Sequence, residues 1–141
     1  MTTVPQIFLL KANLSLKKKS GKSIQDLMGV SENLAELNVD RYRQFSDVFN
    51  EENSKQALLA FKGDVYTHID VDSFSTEDFS FAQEHLRILS GLYGLLRPMD
   101  MIQPYRLEMG IKLKNKRGKN LYEFWGDKIT KELNELAGEQ P

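Results

Sequence analysis

Residues 86–110, LRILSGLYGLLRPMDMIQPYRLEMG, constrain the fold of this chain more than any other stretch. A short, mainly apolar run from Leu86 to Leu89 is interrupted by Ser90 and Gly91, and again by Gly94. The run is too short and too abruptly ended for a buried helix, so it reads as a strand. Glycines this close together permit backbone angles closed to other residues and let a neighbour or ligand approach the main chain. Pro98 and Pro104 stiffen the exit and bias Arg97 and Gln103 toward extended geometry. The frame carries Tyr93, Arg97, Tyr105, Arg106 and Glu108, which a strand–turn–strand unit either presents to solvent or gathers in a cleft. A buried cation needs a partner, so at least one of Arg97 and Arg106 is expected to pair with Glu108, Asp64 or Asp100.

Toward the N-terminus, Met1 to Val4 reads as a leader and Pro5 suits a first helical position, with Ile7, Leu10 and Leu14 at helical spacing. Lys17, Lys18 and Lys19, followed by Ser20 and Gly21, place cations at the C-terminal dipole of that helix. As a charge run they form a solvated face, or alternatively touch phosphate. The segment SIQDLMGVSENLAELN, residues 23–38, predicts two helices around a tight Gly29–Val30–Ser31 turn. Ile24, Leu27 and Met28 would then face Leu34, Ala35 and Leu37. Residues 22–49 thus resemble a helix-hairpin-helix, whose turn ordinarily reads glycine–hydrophobic–glycine; Ser31 stands at the second glycine. Such a turn aims main-chain N–H groups at a phosphate from the start of the second helix. An ordinary helical hairpin capped by Ser31 fits the same residues. The second helix continues through Val39, Tyr42, Phe45 and Phe49 as a core-facing stripe, with Arg41 and Arg43 on its polar side.

Ala57 to Phe61 is a continuous apolar run that predicts a buried strand, followed by Lys62–Gly63–Asp64 and a helical turn containing Tyr66. Ligands of open α/β sheets bind outside the carboxyl ends of strands, and here Lys62 offers a cation, Gly63 close approach, Asp64 an acceptor and Tyr66 a hydroxyl. The spacing is not that of a P-loop. His68 and His85 stand singly, without a second ligand at metal spacing, so no metal and no cofactor are expected. Ser75 and Asp78 form a capping-box pattern for a helix that would bury Phe79, Ala82 and Leu86. Ile111 and Leu113 alternate with Lys112 and Lys114 as in an exposed strand, and the basic tip KNKRGK (residues 114–119) follows. Asn120 then caps a closing helix, with Glu123 at the box position and Tyr122, Trp125, Ile129, Leu133 and Leu136 on one face.

With 141 residues, 40% hydrophobic and 28% charged, the chain is expected to be one globular domain spanning residues 1–141. A net charge of −1 supplies no global field toward nucleic acid, so any such binding must come from local patches. The absence of cysteine excludes disulfides, a thiol nucleophile and thiolate metal sites. No signal peptide and no membrane-spanning run is recognised, which fits a cytoplasmic protein.

The 86–110 stretch, together with ALLAFKGDVY (residues 57–66) before it and GKNLYEFWGDKIT (residues 118–130) after it, resembles the YaaA family, bacterial cytosolic proteins linked to peroxide stress resistance. The family's opening strand and loop, and its lysine- and arginine-rich second half, have no counterpart here. The resemblance therefore implies a fold incomplete relative to the family's, which the residues themselves read as α+β, a mixed α/β unit with the helical hairpin packed on a small mixed sheet. The expected strands are residues 57–61, 86–89 and 105–113. It also implies sequence-independent, salt-sensitive binding of double-stranded or structured DNA in the response to hydrogen peroxide. The residues concerned are Lys22, Gly29, Val30, Ser31, Arg41 and Arg43, with Lys116, Arg117 and Lys119 as further basic positions. Self-association through uncovered surface is a further expectation. The alternative from the residues themselves is a small-ligand (nucleotide-like) protein or enzyme using Lys62, Gly63, Asp64, Tyr66, Tyr93, Arg97, Arg106 and Glu108. A binding protein is expected ahead of an enzyme.

Overall fold

The computed structural model describes residues 14–138, so the leader and the helix start at Pro5, Ile7 and Leu10 lie outside the described residues. A helical turn at 14–17 buries Leu16 and ends at the lysine run, where the Lys17 ammonium donates to the Phe45 carbonyl at 2.9 Å. Helix α1 (Gly21–Met28) and helix α2 (Glu32–Gln44) follow, each opened by a serine. Ser20 accepts from the Ser23 amide and Ser31 from the Leu34 amide, both at 3.2 Å, which satisfies first-turn N–H groups that lack intrahelical acceptors. Ile24, Ala35, Val39 and Tyr42 bury the shared face. Leu37, expected on that face, is 46% exposed because at about 100° per residue it projects opposite Ala35.

Strand β1 (Lys55–Gln56) leads directly into the one-turn helix α3 (Ala57–Ala60). The apolar run expected as a strand is therefore helical. Its opening amides, Ala57 and Leu58, donate to the carbonyls of Asp100 (2.8 Å) and Pro98 (2.9 Å), so a distant turn supplies the acceptors the helix start lacks. After helix α4 (Asp64–Thr67) comes helix α5 (Thr76–His85), opened by the reciprocal box: the Ser75 amide donates to Asp78 at 2.8 Å and the Asp78 amide to Ser75 Oγ at 3.1 Å. Contrary to expectation α5 buries none of its residues; Phe79 and Ala82 are half-buried and Leu86 is exposed.

The central stretch forms a hairpin, strand β2 (Ile88–Ser90) against strand β3 (Gly94–Leu96), with Leu89 opposite Leu95 and Ser90 opposite Gly94. Gly94 has φ 82°, a left-handed angle that lets the chain reverse within the three residues between the strands. Strand β4 (Met101–Ile102) returns to pair antiparallel with β1, Lys55 opposite Ile102. The fold is α+β, but its sheet is two separate antiparallel ribbons rather than one mixed sheet. Residues 105–113 form no strand. Ile111 and Leu113 do turn inward and Lys112 and Lys114 outward, so the period of two survives without a ladder.

The expected closing helix is broken at Gly126 (φ 56°) into α6 (Leu121–Trp125) and α7 (Lys128–Gly138). Asn120 accepts from the Glu123 amide at 2.8 Å, and the helix it sets buries Leu121, Phe124 and Trp125 while Tyr122 is exposed. The buried Trp125 indole donates to the Gly91 carbonyl at 2.9 Å, closing α6 over the β2–β3 turn.

Candidate functional site

Two places in this fold carry the candidate residues. The first is the α1–α2 turn. Gly29 ends α1 in the left-handed region (φ 64°, ψ 40°), its amide donating to the Gln25 carbonyl at 2.9 Å. A Cβ at Gly29 would meet nothing within 4 Å, so conformation and not crowding calls for glycine. Ser31 has φ −64° and ψ 160°, an extended geometry that any residue adopts, and needs no glycine in its place. Gly29, Ser31 and Lys22 are exposed; Val30 is half-buried against the core. Arg41 and Arg43 sit far down α2, Arg41 about 15 Å along the axis from Ser31 at ~1.5 Å per residue. Arg41 is half-buried and donates to Asn38 Oδ1 at 3.4 Å, whereas Arg43 is exposed. Lys116, Arg117 and Lys119 occupy a separate tip whose backbone is closed by the Asn115 amide donating to Gly118 (3.0 Å).

The second place is an open cleft of about 1240 Å³. Leu34 and Arg41 of α2 line it together with Phe61, Lys62, Gly63 and Tyr66. Ser90, Gly91, Tyr105, Arg106, Leu107 and Glu108 line it as well. Three side chains hold residues 103–107 in place. The Gln103 amide group clasps Ser46, accepting from its N–H (3.0 Å) and donating to its C=O (2.6 Å). Tyr93 is buried and its hydroxyl accepts from the Gln103 N–H at 2.8 Å, while the Tyr42 hydroxyl donates to the Arg106 carbonyl. Gly91 is obligatory for a different reason from Gly29: a Cβ there would stand 2.6 Å from the Leu107 carbonyl oxygen.

Within the cleft Tyr105 and Ser90 share a hydroxyl–hydroxyl bond of 2.5 Å, and Phe61 stacks on Tyr66 at 5.2 Å. Burial pushes the Tyr105 phenol up to about 12, partly offset by the Ser90 bond, and burial also raises Tyr66. Both phenols are therefore neutral hydrogen-bonding groups near pH 7. Arg106 approaches Glu108 at 3.6 Å, both side chains in large part exposed, so that pair is screened and each charge remains open to a ligand.

Of the ligand candidates, Lys62, Gly63, Tyr66, Arg106 and Glu108 come together in this cleft. Asp64, Tyr93 and Arg97 do not line it. Asp64 opens α4; Arg97 instead grips the buried Asp100, its guanidinium donating at 2.8 Å and its backbone amide at 2.8 Å. That ion pair locks the turn whose carbonyls cap α3. Ser90 and Phe61 join the cleft without having been singled out, and Tyr105, noted on the 86–110 frame, joins it although it was not among the ligand candidates. Tyr105 follows a proline on a stiff segment, a local signal, but nothing local couples it to Ser90. Among the described residues no group of three or more His, Cys, Asp or Glu is placed to hold a metal ion, and no helix is long and apolar enough to cross a membrane.

Comparison with known proteins adds a family. The sequence profile described as "Peroxide stress protein YaaA" matches residues 9–140. The UPF0246 protein AM1_4276 of Acaryochloris marina is 60% identical over 119 residues, covering 84% of this chain and 47% of that relative. The chain thus spans about half the length of the curated relative it matches.

Proposed function

The chain belongs to the peroxide stress protein YaaA family, and from that premise we propose that it binds the DNA backbone without sequence preference, in the cytoplasm, during the response to hydrogen peroxide. The observation that carries the reading is the α1–α2 turn, where an exposed Ser31 and a left-handed Gly29 leave the start of α2 open to solvent, with the exposed Lys22 at the other end of α1. First-turn amides and the helix dipole together attract phosphate. Arg41 and Arg43 add cations further along α2 on sides about 200° apart, so each meets phosphate separately, and backbone contacts of this kind position a protein without reading bases. Glu32 in the first turn of α2 opposes the anion, which keeps the interaction weak.

Two or three neutralised phosphates give a slope of roughly −2 to −3 in log affinity against log salt, so affinity falls about ten- to fortyfold from 50 to 200 mM salt. Fluorescence anisotropy with unrelated labelled duplexes at the two salt concentrations tests this. The triple substitution Lys22→Ala, Arg41→Ala, Arg43→Ala lowers affinity equally across duplexes and flattens the slope. Undetectable binding at 50 mM salt, or a triple variant that binds like the parent, refutes the reading.

A second reading, small-ligand binding, rests on the convergence of Lys62, Tyr66, Arg106 and Glu108 on one cleft. Pockets lined by apolar and aromatic groups with a few fixed charges suit a planar anion. AMP as probe raises the melting temperature in a manner removed by Lys62→Ala and Arg106→Ala; an unchanged melting temperature at millimolar AMP eliminates this reading.

A further inference from the structure

The Ser90 and Tyr105 side chains both line the cleft, and their hydroxyls bond to each other at 2.5 Å. Ser90 is 2% exposed and also accepts from the Tyr93 backbone N–H at 3.0 Å. Each hydroxyl carries one proton and can accept as well as donate. One of the two protons lies in the bond between them. The other has no acceptor among the described residues. The leftover O–H belongs to Tyr105 when Ser90 donates across the pair, and to Ser90 when Tyr105 donates. Burial keeps the Tyr105 phenol neutral near pH 7, so its proton is present. A donor left unmatched where water is scarce costs free energy, which an acceptor entering the cleft recovers.

An aromatic run leads on from the pair. The Phe61 ring meets Tyr105 edge-on at 6.1 Å and stacks on Tyr66 at 5.2 Å, and all three line the cleft. Phe61 and Tyr105 are each followed in the chain by a cation, Lys62 and Arg106, which line it too. We infer, resting on the small-ligand reading above, that the Ser90–Tyr105 pair is the specificity subsite for the base of a nucleotide-like ligand. The leftover O–H donates to a ring nitrogen or carbonyl oxygen of a heteroaromatic ring beside Phe61 and Tyr66, while Lys62 and Arg106 hold the phosphate. Either hydroxyl can serve, because the bond between them reverses.

Isothermal titration calorimetry of the 141-residue chain with AMP, well below the melting temperature, tests this. Ser90→Ala or Tyr105→Phe alone leaves one O–H to donate and weakens AMP binding less than about threefold. Together they weaken it about fivefold to tenfold, the loss of one ordinary hydrogen bond. Ribose 5-phosphate, which carries the charge but no ring, binds the parent and the double variant alike. If the double variant does not fold, Ser90→Cys with Tyr105→Phe is read in its place against the same values. That variant keeps an acceptor for the Tyr93 N–H but only a weak S–H donor. Equal AMP affinity in parent and double variant, with binding lost in Lys62→Ala, overturns the inference and leaves the small-ligand reading standing. The full loss in one single variant assigns the contact to one hydroxyl and also overturns it. So does a parallel loss for ribose 5-phosphate, which marks a distorted cleft. A parent chain that binds no AMP at millimolar concentration removes the small-ligand reading and this inference with it.

Discussion

Tyr42→Phe removes a single oxygen and isolates one interaction between the hairpin and the cleft. Tyr42 is buried on α2, and its hydroxyl donates to the Arg106 carbonyl. The phenyl ring retains the packing, so no large cavity opens; what is lost is a tertiary hydrogen bond, and a carbonyl in a partly buried place goes unsatisfied. That change is worth about 1–3 kcal/mol. For a chain of this size the melting temperature falls by roughly 3–4 °C per kcal/mol, so a drop of about 3–12 °C is expected. Urea unfolding followed by the fluorescence of the single, buried Trp125 measures it. The midpoint should fall with the slope unchanged, because the exposed surface on unfolding is the same. The pH dependence gives a second readout. Burial raises the folded-state pKa of Tyr42 above the ordinary 10, so the neutral phenol contributes stability that is fully present below pH 10 and is lost at higher pH. The phenylalanine variant has no such contribution, and its deficit relative to the parent should narrow above pH 10. A loss below about 0.5 kcal/mol, less than the smallest net value of an ordinary hydrogen bond, would refute the claim that this bond ties α2 to the cleft.

Gly29→Ala should cost about 1–2 kcal/mol through its positive φ alone, with Gly29→Asn recovering part of it, both read from urea midpoints. Gly91→Ala fails for steric reasons and should cost about 1–3 kcal/mol with no rescue by asparagine, because the clash is with the Leu107 backbone. Asp100→Asn removes the charge that holds Arg97 and the turn capping α3; with Arg97 one-third exposed, a loss of about 2 kcal/mol by thermal unfolding is expected, below the value for a fully buried pair. Tyr105 should ionise at about 12 in an ultraviolet titration, a signal missing from Tyr105→Phe; its raised pKa means stability held below pH 10 and lost as the pH approaches 12.

The features legible in the chain alone are those decided within three or four residues. Ser31 three residues before Leu34, Ser75 before Asp78 and Asn120 before Glu123 each cap a helix through a bond between near neighbours, so residue type and spacing suffice. Gly29 and Gly94 likewise mark turns through their own backbone freedom. The stripe of Val39, Tyr42 and Phe45 follows from helical periodicity, and the α+β class follows from short apolar runs alternating with such stripes. Ala57–Ala60 was not legible, because four apolar residues have no period; the carbonyls of Pro98 and Asp100 made it helical rather than extended. Residues 105–113 carry a strand's alternation, but Gln103 and Tyr42 hold the start of the segment by side-chain bonds to the hairpin, so no ladder forms. The cleft belongs wholly to tertiary structure: Lys62 and Arg106 line the same cleft, and Ser90 meets Tyr105, where the Gly91–Leu107 approach packs the two segments together. Contacts within one helical turn are encoded where the residues stand, whereas those between distant segments exist only once the core has chosen which backbone groups it leaves to be satisfied.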